Sequence, residues 1–237
     1  MSVPVTLEAL DLAALLCSRV CHDLISPSGA IVNGLEVLEE SKDEETKNFA
    51  LDLIKKSART ASARLQFCRM AFGAAGSAAA QVDLGDAENV ARGFVEDEKV
   101  KLSWNLSSAL LPKNRVKLLL NMILVAAHSI PRGGVVTVEG DGPPEAMTFK
   151  VSAYGLNARI PQAVPALLAG LSDRGAVDAH AIQPFYAGLL GRVSGLAVSI
   201  EADGDAIVVA ARAMTAPACA MSTVAQTAAP QGAQVTG

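Results

Sequence analysis

The chain has 237 residues, 51% hydrophobic and 19% charged, with a net charge of -4. That composition supports one or two domains with buried cores and excludes a general nucleic-acid binder, which needs a basic field. The strongest apolar run, residues 118–127, contains Asn121 and is too short to span a membrane, and Glu8 and Asp11 stand where a signal peptide would be basic and then apolar, so a cytoplasmic protein is expected.

Residues 6 to about 40 carry a sustained helical pattern. Leu7, Leu10, Ala14, Cys17, Cys21, Leu24, Ser28, Ile31, Leu35 and Leu38 follow at steps of three and four, a heptad seam. In the middle of this helix stand His22 and Asp23, with Pro27 shortly after. On a helix, His22 shares its face with Leu15, Ser18, Arg19, Ile25, Ser26 and Gly29. Most of these are small or polar, so the face is expected to be wet and open, with Leu15 and Ile25 as apolar contacts at its rim. A neutral imidazole is nucleophilic near pH 7, which suits it to carry a phosphoryl group. Asp23 can hold the ring in one tautomer or accept its proton. Pro27 removes an N–H and crowds the carbonyl of Asp23, so a bend or soft spot is expected there, with Gly29 and Gly34 adding to it.

The polar stretch Glu39–Glu44 ends the first helix, and Ser41 with Glu44 has the spacing of a capping box for a second. That second helix runs to about Phe72, with the seam Leu51, Ile54, Ala58, Ala61, Leu65, Cys68, Phe72. Two long helices and a short loop make an antiparallel hairpin. Each helix has one seam and too few contacts to stand alone. A homodimer closing a four-helix bundle is therefore expected; the alternative is that the second half of the chain covers the hairpin. Lys55, Lys56, Arg59, Arg64 and Arg69 make the second helix basic, most simply as a solvated face.

Residues 73–80 read as a small-residue linker. Beyond it the order is α-β-α-β-β-α-β-β: helix from Leu84, strand from Val100, helix after Pro112, strands at 135–139 and 147–153, helix 179–193, and a hairpin around Asp203-Gly204. This is an α+β sandwich with a largely antiparallel sheet. The domains expected are 1–75, 81–213 and a disordered tail, 214–237. Cys17, Cys21, Cys68 and Cys219 lack the spacing of a disulfide framework, and no metal site is expected. His128 and His180 read as structural or solvated.

The run His22-Asp23-Leu24-Ile25-Ser26-Pro27, followed by Ala30-Ile31, resembles the phosphoacceptor box of sensor histidine kinases, and the α+β half looks like their ATP-binding domain. The nucleotide boxes depart from that pattern. Asn121 is kept, but the Asn expected to hold Mg²⁺ falls at Val125. The Asp that reads adenine falls at Ala153, ahead of Gly155, and Gln183–Gly188 replaces a glycine-rich phosphate loop. A phosphoacceptor box joined to a domain without ATP-binding residues is similar to the dimeric histidine phosphotransferases of alphaproteobacterial phosphorelays. Arg19, Cys21, Gly34-Leu35, Leu65-Gln66-Phe67 and Ala71–Ala74 carry the likeness further.

The resemblance implies that His22 takes phosphate from the receiver domain of a hybrid kinase. It passes the group to receivers of response regulators, one a cell-cycle transcription regulator and one a proteolysis regulator. Mg²⁺ then belongs to the receiver, and this chain holds no cofactor. Docking falls on the first helix, at Arg19, Ile25, Ser26, Pro27 and Gly29. An interaction module without catalysis, or an active ATP-dependent kinase, is the competing expectation.

Overall fold

A computed structural model describes residues 2–73, 80–173 and 175–214. Helix α1 (Ala9–Glu40) and helix α2 (Glu44–Ala71) form the hairpin. At 32 residues, α1 is about 48 Å long. The cap of α2 is Asp43 and not Ser41: its carboxylate accepts from the Thr46 N–H at 2.8 Å and from the Thr46 hydroxyl at 2.7 Å. Those bonds hold the Asp43 carboxyl below its ordinary value. Ser41 instead accepts from the Asp43 N–H.

The stripe of α1 that packs inward is not the heptad seam. Arg19, Asp23, Pro27 and Gly34 are the buried residues of α1, facing a stripe of α2 that includes Ala50 and Ser57. Gly34 is a point of close approach, not a soft spot: a Cβ there would lie 2.7 Å from Ile54 Cγ1. The seam residues Leu10, Cys17, Cys21 and Leu35 of α1, and Leu51 and Leu65 of α2, are exposed on the chain. The two stripes coexist because one partner helix buries only one side of α1.

The far end of α2 is built into the second half. Phe67 and Ala71 are fully buried in one core with Leu84, Ala87 and Ala91 of helix α3 (Leu84–Val95) and with helix α4 (Lys113–Ala127). The linker expected at 73–80 lies largely outside the described residues, as does all of the tail expected beyond Met214.

The remaining elements, in chain order, include strands too short to be seen in sequence. Strand β1 (Val3–Pro4) precedes α1, β2 (Gln81–Asp83) precedes α3, and β3 (Val100–Asn105) and β4 (Leu110–Pro112) precede α4. Then come β5 (Gly134–Asp141), β6 (Thr148–Tyr154), helix α5 (Val164–Leu168), β7 (Leu171–Ser172), helix α6 (Ile182–Val193), β8 (Leu196–Asp203) and β9 (Ala206–Ala213). The main sheet runs β3-β5-β6-β9-β8. Only β3–β5 is parallel, so the sheet is largely antiparallel as expected.

Alternation puts Val136, Val138, Phe149, Val151, Ala153, Val209 and Ala211 into the core. Helix α4 is buried from Val116 to Ala126 because protein surrounds it. At the N-terminus, β1 pairs with β7, Val3 opposite Ser172. This strap closes a second small core in which Leu7, Leu12, Leu15 and Leu16 pack on Leu167, Val177, Ile182 and Phe185. The α/β half thus covers the start of α1 and leaves most of the hairpin open.

Candidate functional site

His22 sits mid-way along α1 with 61% of its side chain exposed, whereas Asp23 beside it is 10% exposed. The two oxygens of Asp23 have different tasks. Oδ2 accepts from Arg19 Nε at 3.1 Å, one helical turn back. Oδ1 faces His22 Nδ1 at 3.6 Å, longer than a hydrogen bond. Arg19 therefore fixes the carboxylate, which lies beside one side of the ring.

Pro27 does not break the helix, which runs unbroken from Ala9 to Glu40. The carbonyl that Pro27 leaves without its helical donor is that of Asp23. Arg64 of α2 reaches across the hairpin and donates to it. The freed acceptor thereby becomes an anchor, and the turn carrying His22 is pinned to α2. Asp23 also acts on Cys68 of α2. Burial, and then the Asp23 charge, push that thiol up to about 11, against Arg19 and Arg64.

Both other histidines come to this place, which the sequence reading did not foresee. The His180 ring meets the His22 ring edge-on, with centroids 5.2 Å apart and planes at 80°. His128 caps the C-terminus of α4. It lines, with Arg19, His180, Asp178 and Gln183, a cavity of about 410 Å³ beside the site. The His128 ring keeps an exposed edge, yet the surrounding protein and then the Arg19 charge lower its pKa below the ordinary 6.5, with Asp23 opposing.

A depressed histidine binds fewer protons folded than unfolded, so the stability it contributes is full above 6.5 and is lost as pH falls through the lowered value. Urea midpoints measured between pH 7 and pH 5 should fall for wild type, and less steeply for His128→Gln.

Among the residues expected to face a partner, Ile25 is 73% exposed, and Ser26 and Gly29 are exposed with nothing within 4 Å of a Cβ placed at Gly29. Arg19 and Pro27 are buried, Arg19 in the wall of the cavity, so neither stands on the exposed face with Ile25, Ser26 and Gly29. Their work is internal, on Asp23.

The curated protein phosphotransferase ChpT of Brucella abortus (strain 2308) is 51% identical over 211 residues, covering 89% of this chain and all of that protein. A solved structure titled as a bacterial phosphotransferase superposes with a TM-score of 0.81 at 49% identity, covering 89% of this chain and all of that one. Residues 84–206 match the family model of the histidine phosphotransferase C-terminal domain. The chain belongs to the histidine phosphotransferases.

In this histidine phosphotransferase the positions that the sequence resemblance sets against nucleotide boxes serve packing. Asn121 is fully buried; its amide donates to the Lys117 carbonyl at 2.8 Å and to the Ala71 carbonyl at 3.4 Å, tying α4 to the end of α2. Val125 lines the cavity with hydrocarbon, where an oxygen ligand would be needed to hold a hard cation. Ala153 is fully buried in β6. Gly155 is required by the backbone, since a Cβ there would lie 2.2 Å from the Gly133 carbonyl oxygen. Gln183, Pro184 and Phe185 fill the first turn of α6 and are buried. Among the described residues no cluster of His, Cys, Asp and Glu could hold a metal, and no helix is long and apolar enough to cross a membrane.

Proposed function

We propose that His22 is the phosphoryl carrier of this histidine phosphotransferase. The observation that carries the reading is an exposed imidazole backed by a buried aspartate, whose carboxylate Arg19 holds and whose backbone carbonyl Arg64 holds. Asp23 favours the proton on Nδ1, which leaves the Nε2 lone pair for attack. Nε2 bonds to the phosphorus of an aspartyl phosphate on a receiver domain while the phosphorus–oxygen bond to that aspartate breaks. The reverse step delivers the group to a second receiver. Such transfer is mainly positioning and charge neutralisation, and Mg²⁺ bound by the receiver supplies the latter.

Receivers dock over Ile25, Ser26 and Gly29. The donor is a hybrid kinase, and the acceptors are response regulators of the cell cycle. The protein works in the cytoplasm as a homodimer. Support for the dimer comes from Val32, Leu35, Phe49 and Leu65, large apolar residues left open along the hairpin.

The test has two arms. With ATP and Mg²⁺ alone, the chain should acquire no phosphate; with a phosphorylated receiver and Mg²⁺, it should acquire it within the assay. Label from ATP alone would make it a kinase and overturn the reading.

A further inference from the structure

The geometry points to His180 as a positioning residue for phosphotransfer, contributed to the site by the α/β half of the chain. The inference rests on the reading of His22 as the carrier. His180 is exposed, and its ring stands edge-on to His22 at 5.2 Å. An edge-to-face pair at that separation is favourable and restricts the ring that receives it. Asp23 stands beside Nδ1 of His22, and the His180 ring meets the same imidazole edge-on. A single-bonded imidazole on an open helix face otherwise samples several rotamers, and only some point Nε2 at an incoming phosphorus.

His180 is itself held. The Asp178 carboxylate accepts from the N–H of His180 at 2.9 Å and from that of Ala181 at 2.8 Å, fixing the turn just before α6. Buried Ile182 anchors the far side of that turn in the small core with Leu12, Leu15 and Leu16 of α1. The β1–β7 pairing ties Val3 and Pro4 to Ser172 and Leu171, upstream of that turn. Strap, core and cap together press one turn of the α/β half against α1 beside His22. A half that has lost the nucleotide residues thereby keeps a direct part in the site.

The test uses full-length chains and a phosphorylated receiver. Wild type, His180→Ala, His180→Phe and His22→Ala are compared in single-turnover transfer across receiver concentrations, with the phosphorylated residue mapped in wild type. His180→Ala should lower the saturating rate about tenfold while the receiver concentration at half-saturation changes by less than about twofold. His180→Phe, which keeps a ring edge and has no titrating nitrogen, should recover most of the rate. The ¹⁵N shifts of the His22 ring should move toward tautomer averaging in His180→Ala and back in His180→Phe. A His180→Ala rate equal to or above wild type would overturn the inference, and so would a phenylalanine variant no better than alanine. Phosphate mapped to a residue other than His22 in wild type sinks the carrier reading itself, independently of those rates.

Discussion

Replacing His22 with alanine is expected to stop the relay: transfer from a phosphorylated receiver to a second receiver should fall by about a thousandfold or more. The loss is that of a covalent carrier, and no neighbouring group substitutes for the nucleophile itself. Cys21, one residue away, projects from a different part of the helix face. His180 and His128 are near, but the described network gives neither one the His22 arrangement, a carboxylate oxygen beside one ring nitrogen with an arginine behind it. The fold should be untouched. His22 is mostly exposed and, among the described residues, its one ring contact is with His180, so the stability change should stay within about 0.5 kcal/mol. Comparing transfer rates with urea midpoints separates the loss of chemistry from loss of structure.

The second large effect is on stability. Arg19→Ala removes the charged partner of a carboxylate that is 10% exposed. Breaking a buried pair from one side leaves an uncompensated charge and costs about 3 kcal/mol. For a chain of this size that is a fall in Tm of about 6–12 °C, measured at matched protein concentration. The double variant Arg19→Ala/Asp23→Ala should recover a large part of the loss, because no charge is then stranded. The coupling read from the cycle should be about 2 kcal/mol. Near-additive losses would mean that Arg19 acts through the packing of its stem in the cavity wall and not through Asp23.

Much of the layout is legible in the chain. The long helices show through apolar steps of three and four, and the strands of the main sheet through alternation. The run from His22 to Pro27 is local, so His22, Asp23 and Pro27 are seen together. What stays hidden follows from distance and length. Strands β1, β2, β4 and β7 are two or three residues each, too short for any period to register. Arg64 lies 41 positions from Asp23, and only the register of the hairpin brings it to the freed carbonyl. A signal for it existed: a proline inside a helix leaves an acceptor, and a basic residue on the facing helix can answer it.

His180 gave no local signal at all, because its placement depends on a strap at one end of the chain and a cap just before α6. The buried position of Arg19 reverses the sequence expectation for a reason of the same kind. An arginine beside a histidine on a helix face reads as partner-facing until the second helix shows which stripe turns inward.

The location of the phosphate itself decides whether His22 is the carrier. The full chain is incubated with a phosphorylated receiver and Mg²⁺, then kept at alkaline pH, where phosphohistidine survives, and the modified residue is read by mass spectrometry. Phosphate is expected on His22, passed on when a second receiver is added. Phosphate on any other residue, or transfer between receivers that proceeds with His22 unmodified throughout, would contradict it.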